Sequence, residues 1–303
     1  MPELPEVEVL VRQLDRVLRG RTIKGISVKR RRVLGKTSPR NLTQILKGQT
    51  FSDVKRRGKF LIFHFVQSNS KETPILVGHL GMTGRMYLSP RDKPLPKHAA
   101  VVLDLGWENF IFEDTRYFGK FTLDTTALQR LGPEPLEKRF TAKTLAERLS
   151  RSKQPIKIKL LDQSVVAGVG NIYASEALFR AGVSPTIPAN DLSETQVRML
   201  WSAIRKVLLD AIRFGSTVPL RYELGHSSSA VTAKRDTAAK DRSEHLFYFG
   251  TAPDAGDFYE ERLRVYDRAG QPCGTCGKGI KRIFQAGRST FYCENCQKTS
   301  ECV

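Results

Sequence analysis

Gly132-Pro133-Glu134-Pro135 divides the chain into two halves that read differently. Prolines fix φ and a glycine tolerates unusual φ, so this stretch marks a turn or boundary. Upstream, between Ile23 and Thr125, short apolar runs are separated by Gly, Pro and polar turns. Ile23–Val28, Phe60–Phe65, Ile75–Leu80, Val101–Leu105, Asn109–Phe112 and Gly119–Leu123 are the expected strands. No helical pattern of any length is expected between them, so a sandwich or open barrel is predicted rather than a parallel α/β sheet. Downstream the apolar period becomes helical. Helices are expected over Thr141–Leu149, Ile156–Leu161, Asn171–Ala181 and Ser193–Phe214; Ser193 with Gln196 offers a capping box. The predicted fold class is α+β with two domains: an N-terminal β-sandwich with a flanking helix over residues 1–134, and a helical domain over 135–257. A cysteine module follows over 258–303. Within the helical domain, 218–257 is rich in Ser, Thr, Ala, Lys and Asp and reads as a long polar loop.

The chain opens Met1-Pro2-Glu3-Leu4-Pro5-Glu6, and Val7, Leu10, Val11, Leu14, Val17 and Leu18 follow at helical spacing. Pro5 suits the first turn and Gly20 the stop, so the terminus is held at a helix start instead of fraying. Removal of Met1 would leave Pro2 with a free secondary amine. An α-amino group titrates near pH 8, so a useful fraction is nucleophilic at neutral pH. Such an amine can attack an electrophilic sugar carbon and hold it as an iminium, with Glu3 and Glu6 beside it for acid/base work. The bland alternative is that Pro and Glu merely start a helix.

Cys273-x2-Cys276 and Cys293-x2-Cys296, with sixteen residues between the pairs, have the spacing of a closed tetrahedral Zn²⁺ site. Four protein ligands leave no open position, so one structural Zn²⁺ is expected. The hairpin between the pairs interleaves Lys278, Lys281, Arg282 and Arg288 with Phe284, Phe291 and Tyr292, which suits phosphate contact and base stacking. The fifth cysteine, Cys302, has no partner and is expected to be a surface thiol.

Lys and Arg number 50 against 31 Asp and Glu, a net charge of +19, which favours a polyanionic partner such as nucleic acid. No apolar stretch is long enough to span a membrane, and the acidic, amphipathic start is not that of a signal peptide. An intracellular protein is expected, in line with cysteines used for metal rather than disulfides.

Other motifs carry weaker signals. Lys29-Arg30-Arg31-Arg32 and Lys55-Arg56-Arg57-Gly58-Lys59 are basic runs, of the kind that are usually solvated faces; Lys59 could project from a hairpin toward a cleft. Gly168-Val169-Gly170-Asn171 precedes a helix whose free N–H groups could take a phosphate, although a plain turn is the simpler reading. His79-Leu80-Gly81-Met82-Thr83-Gly84 and Asp114-Thr115-Arg116-Tyr117-Phe118-Gly119 are turns whose Met, Arg and Phe could enter a base stack, or could simply be core.

Taken in order, Pro2-Glu3-Leu4-Pro5-Glu6-Val7-Glu8, Arg57-Gly58-Lys59, His79-Leu80-Gly81-Met82, Arg116-Tyr117-Phe118-Gly119, Leu160-Leu161-Asp162-Gln163, Gly168-Val169-Gly170-Asn171-Ile172-Tyr173 and the four cysteines resemble the formamidopyrimidine-DNA glycosylase family, which includes the endonuclease VIII branch. The resemblance spans nearly the whole chain and implies a β-sandwich, a helix–two-turn–helix module and a zinc finger around a DNA cleft. It implies base excision repair of double-stranded DNA containing oxidised bases or abasic sites, by a monomeric bacterial enzyme of the cytoplasm associated with the nucleoid. Pro2 would attack C1′, Glu3 would be the acid/base, Glu6 would support the site, and Lys59 would contact phosphate or lesion. Met82, Arg116 and Phe118 would fill the gap left by an everted nucleotide. His79, Lys157, Asn171 and Arg288 would belong to the DNA-binding set. The opening residues look more like the oxidised-purine branch; oxidised pyrimidines are the alternative, and a non-catalytic zinc-finger DNA-binding protein a third. Two departures stand out. Tyr117 lies where the oxidised-purine branch commonly has Arg, and the 218–257 segment does not match the usual lesion-recognition loop.

Overall fold

The structure, a computed structural model, describes residues 1–66, 73–214 and 262–299. The loop expected at 218–257 and Cys302 lie outside the described residues. Helix α1 (Leu4–Leu18) buries Leu4, Val7, Leu10, Val11, Leu14 and Leu18 along one stripe. It is followed by β1 (Gly25–Val28), α2 (Pro39–Leu46), β2 (Phe51–Arg57), β3 (Phe60–Phe65), β4 (Ile75–His79), β5 (Gly84–Pro90), β6 (Ala99–Asp104), β7 (Glu108–Asp114) and β8 (Lys120–Thr122). Two four-stranded sheets form, in the orders β1-β6-β7-β5 and β2-β3-β4-β8, and every pairing is antiparallel. Their inner faces share a core that contains Phe51, Phe63, Phe110, Phe112 and Phe121. Each such ring contributes about 1.5–3 kcal/mol on burial.

The expected strands are present with shifted ends, and two further strands join them. β2 escaped the sequence reading because Lys55, Arg56 and Arg57 break its apolar alternation, although Phe51 and Val54 face inward. β5 places Met86 and Leu88 in the core at alternate positions. The expectation that no helix interrupts the strands is corrected by α2. Its signals are local: Ser38 caps it by accepting from Asn41 N–H, Pro39 fills the first turn, and Leu42 and Leu46 are buried.

Beyond residue 125 come α3 (Thr126–Gln129), α4 (Ala142–Leu149), α5 (Ile156–Leu160), α6 (Asn171–Arg180) and α7 (Glu194–Arg213), then a hairpin of β9 (Lys281–Gln285) and β10 (Arg288–Tyr292). The Ser193–Gln196 capping box opens α7. Helix α1 spans the two large cores: Leu4 packs into the helical domain, whereas Val7 to Leu18 pack into the sandwich. The cysteine module is tied to α6 by buried Glu176, which accepts from the backbone N–H of Arg264, Val265 and Tyr266 at 2.8–2.9 Å.

The segment 132–135 is a joint rather than a slack tether. Glu134, buried, accepts from Gly58 N–H at 2.5 Å, from Arg57 Nη1 at 3.0 Å and from Arg56 Nη1 at 2.7 Å. Arg57 also donates to the Gly132 carbonyl at 2.6 Å. Arg56 is not part of a solvated face: Glu8 takes its Nε at 2.8 Å. The β2–β3 turn that carries Lys59 is thereby fastened to the start of the helical domain. Glu134→Ala removes the shared acceptor of two guanidinium groups and a backbone donor, and is expected to cost about 3–5 kcal/mol of stability. Glu134→Gln, which keeps one acceptor, should lose less; urea unfolding of the three proteins checks the order.

Candidate active site and nucleic-acid interface

Pro2 is buried beneath an exposed Met1, and Glu3 and Glu6 are buried with it. Five hydrogen bonds fix this terminus. Leu4 N–H donates to Gly168 O at 3.0 Å. The Glu6 carboxylate takes Glu3 N–H at 2.7 Å and the Tyr173 hydroxyl at 2.6 Å. The Glu3 carboxylate sits on the start of α6, accepting from Ile172 N–H at 2.8 Å and Tyr173 N–H at 3.4 Å. The helix start that the sequence offers to a phosphate is therefore occupied by a carboxylate of the chain itself, which satisfies the same free donors and dipole.

The glycines of Gly168-Val169-Gly170 are explained by this approach. Gly168 has φ +86°, and a Cβ there would stand 2.6 Å from Leu4 Cβ. A Cβ on Gly170 would lie 2.5 Å from Glu3 Oε1 and 2.6 Å from Lys59 Nζ. Glu3 and Lys59 thus share the space above Gly170, although they are 56 positions apart in the chain. Gln163 braces the loop, accepting from Gly168 N–H at 2.9 Å and donating to Val169 O at 2.8 Å.

Burial raises the Glu3 carboxyl above its ordinary range; Lys59 opposes that shift and Glu6 adds to it. Burial lowers the Lys59 ammonium, with Glu3 and Glu6 opposing and Arg288 assisting. Lys157 is pushed down to about 8, by burial first and Arg288 second. Lys59 and Lys157 therefore both feel Arg288 and both feel Glu3.

Lys157 is buried and donates to the Asn171 side-chain oxygen and to Ser289 O at 3.3 Å. Asn171 donates in turn to Ser289 O at 3.0 Å. Lys157 and Asn171 thus join α5, α6 and the β9–β10 hairpin. Beside them a cavity of about 310 Å³ has Asn171, Arg282, Arg288 and Asp267 among its lining residues.

Met82, Arg116 and Phe118 come from two loops and meet. Arg116 Nη1 lies 3.3 Å from Met82 Sδ, and its guanidinium lies 4.9 Å from the Phe118 ring centre. Met82 and Phe118 are each 45% exposed, unusual for such side chains in a loop that packs this tightly. Asp114, fully buried, organises both loops: it accepts from Thr83 Oγ1 at 2.6 Å, Arg116 N–H at 3.1 Å and Gly119 N–H at 2.8 Å. His79 serves the first loop from inside, accepting from Gly81 N–H through Nδ1 at 3.0 Å and packing on Phe60. Burial, then Lys59 and Lys120, push it down to about 4. Glu134, Glu176 and Asp114 were missed as organisers by the sequence reading; their only sequence signal is an acid in a turn or helix of a basic chain.

The four cysteines converge, with their Sγ atoms all within 4.8 Å of one another; Cys276–Cys293 is 3.5 Å and Cys273–Cys296 is 3.8 Å. A tetrahedral Zn–S bond of about 2.3 Å requires sulfurs about 3.8 Å apart, so this donor set fits a structural Zn²⁺. Among the described residues no helix is long and apolar enough to cross a membrane.

The chain thus combines a β-sandwich that starts from a buried Pro-Glu terminus, a helical domain and a four-cysteine finger. Three family descriptions match in order: the formamidopyrimidine-DNA glycosylase N-terminal domain over residues 1–121, its H2TH domain over 131–220, and the zinc finger found in FPG and IleRS over 270–299. The formamidopyrimidine-DNA glycosylase of Desulfitobacterium hafniense is 38% identical over 304 residues, covering 98% of this chain and 100% of that protein. The crystal structure of wild-type Lactococcus lactis Fpg (MutM) with N7-benzyl-Fapy-dG DNA superposes with a TM-score of 0.80 at 31% identity, over 98% of this chain and 100% of that one. A MutM complex with carbocyclic 8-oxo-G DNA gives 0.80 at 30% identity, with the same coverage. The chain belongs to the formamidopyrimidine-DNA glycosylase family.

Because His79 titrates lower in the folded chain than its ordinary 6.5, the native state binds fewer protons between about 4 and 6.5. Its contribution to stability is complete above that window and is lost as pH falls through it. Glu3 acts in the opposite sense, its contribution being lost as pH rises through its raised value. Melting curves should therefore show the gap between wild type and His79→Gln narrowing from pH 7 to pH 4, and Glu3→Gln more stable than wild type at pH 7. Chelation of zinc should weaken lesion-DNA binding at least tenfold, about 1.4 kcal/mol, while the sandwich keeps its melting transition; anisotropy and calorimetry on one sample separate the two.

Proposed function

We propose that the protein is a bifunctional DNA glycosylase and abasic-site lyase that removes oxidised purines, 8-oxoguanine and formamidopyrimidines, from double-stranded DNA in base excision repair. It acts as a monomer in the bacterial cytoplasm, on the nucleoid. The observation that carries this reading is the N-terminal Pro2-Glu3 pair, buried at the start of α6 and facing Lys59 across Gly170. The relatives seen on Fapy-dG and 8-oxo-G DNA support the substrate class.

Once Met1 is removed, Pro2 Nα is a secondary amine rigidly attached to α1. It attacks C1′ of the damaged nucleotide, the bond from C1′ to the base breaks, and the base leaves with the amine proton; the C1′–O4′ bond then opens, O4′ takes a proton, and C1′ is left as an iminium on Pro2. The resulting iminium acidifies the neighbouring 2′ hydrogen; loss of that proton expels the 3′ phosphate and nicks the strand. Glu3 is suited to carry protons in these steps, because burial raises its carboxyl above the range of a free glutamate. Glu6 fixes Glu3 through its backbone N–H. Lys59, with its charge buried and steadied by two carboxylates, contacts phosphate or lesion.

A base inside a duplex is out of reach of an amine anchored in this way, so the nucleotide must be everted and the space filled. Met82, Arg116 and Phe118 are the fillers, held by Asp114, with His79 bracing the loop from beneath. Arg288 and Asn171 bind the phosphates beside the lesion, and Lys157 holds Asn171 from behind. The finger supplies Arg288, and the zinc held by Cys273, Cys276, Cys293 and Cys296 keeps that hairpin in shape.

Borohydride treatment of the protein with an 8-oxoguanine·cytosine duplex should trap a covalent complex that maps to Pro2. An N-terminal extension should abolish trapping. Glu3→Gln should bind the duplex but excise about 10²–10⁴-fold more slowly. Full turnover with a blocked terminus would overturn the amine mechanism, and normal turnover by Glu3→Gln would remove Glu3 from its role.

A further inference from the structure

The basic run Lys29–Arg32 reads from sequence as a solvated face, yet the fold lays it against the gap-filling loop. The Arg30 guanidinium stands 5.3 Å from the Tyr117 ring centre, and that of Arg32 stands 5.4 Å from the Phe118 ring centre. Phe118 is thus covered by Arg32 as well as by Arg116. Arg30 and Arg32 are exposed, and neither makes an ion pair among the described residues.

Their backbone is firmly held. Lys29 N–H and Arg30 N–H both donate to Ala100 O, at 2.8 and 3.1 Å, and Val33 and Leu34 are buried just beyond. The ring that receives Arg30 is held as well. Tyr117 has φ +52°, a left-handed conformation unfavourable for an aromatic residue, and its hydroxyl lies 3.2 Å from His98 Nδ1. Non-glycine residues persist in that region where the surroundings over-determine them, and such sites gather at ligand loops.

We propose that Arg30 and Arg32 are DNA-binding residues that grip the sugar-phosphate backbone beside the gap-filling loop, with Tyr117 and Phe118 as the surfaces that hold them in position. Stacking uses the face of a guanidinium and leaves its N–H edge free, and that edge matches a phosphate bidentately. An arginine already laid on a ring loses less rotamer freedom on binding than one waving in solvent. The pair therefore does two things: each arginine neutralises a phosphate, and Arg32 also limits how far Phe118 can swing. This inference rests on the reading that Met82, Arg116 and Phe118 enter the duplex.

The test is binding, measured by anisotropy on a duplex carrying a tetrahydrofuran abasic analogue, which offers neither base nor aldehyde and stays intact. Affinity is followed from 50 to 200 mM salt. Arg30→Ala and Arg32→Ala should each flatten the log–log salt dependence by about 0.9, and together by about twice that. Arg30→Lys should keep the slope. Tyr117→Arg placed on Arg30→Ala should restore it, since a cation returns to the same place; a merely structural role for Arg30 would not be rescued in this way. A wild-type slope for the double alanine variant would overturn the proposal, as would an affinity loss that merely follows a fallen melting temperature. Trapping at Pro2 can fail while these slopes change, and can succeed while they do not, so this proposal and the catalytic one fail separately.

Discussion

The Glu3 carboxylate on the first turn of α6 is the contact on which the rest of the structure converges. It joins the third residue of the chain to residues 172 and 173, and so joins the sandwich to the helical domain. Everything near it is shaped by that approach. Gly168 and Gly170 lack side chains because Leu4, Glu3 and Lys59 fill the space. Leu4 leaves the packing of its own helix for the other core. Glu6 turns back on Glu3 and forward to Tyr173. A helix start that would otherwise bind a free anion holds a carboxylate of the chain itself, and burial raises its pKa.

The same device recurs elsewhere with other acids. Glu134 gathers the β2–β3 turn, Asp114 the two loops that carry Met82 and Arg116, and Glu176 the approach to the cysteine module, each by accepting backbone N–H groups. A buried carboxylate is stabilised by such bonds and is costly without them. One consequence concerns charge. In a chain of net charge +19, several of the scarce acids lie inside, while Arg30, Arg32, Arg116 and Arg288 remain at the surface.

Legibility in the sequence followed the range of the interaction. The α1 stripe, the Ser193–Gln196 cap and the paired cysteines each lie within one short window, and each was readable there. α2 carried equally local signals in Ser38 and Pro39 but was passed over, because a strand pattern surrounded it. β2 was hidden for a different reason. Its Arg56 reads as one of a solvated run, and only the arrival of Glu8 and Glu134, 48 and 78 positions away, makes it a half-buried, paired residue.

The sequence by itself determined the periods and the punctuation: strands before residue 125, helices after it, a rigid Pro-Glu terminus, and a four-thiolate site spaced for zinc. Those follow from backbone geometry and ligand spacing, which act over a few residues. The tertiary structure alone decided that Glu3 faces Lys59, that His79 props a loop from within, that Lys157 lies behind Asn171, and that Arg30 and Arg32 lie on Tyr117 and Phe118. Such meetings depend on how sheets and helices pack, and a charge or ring in the sequence does not carry the identity of its distant partner.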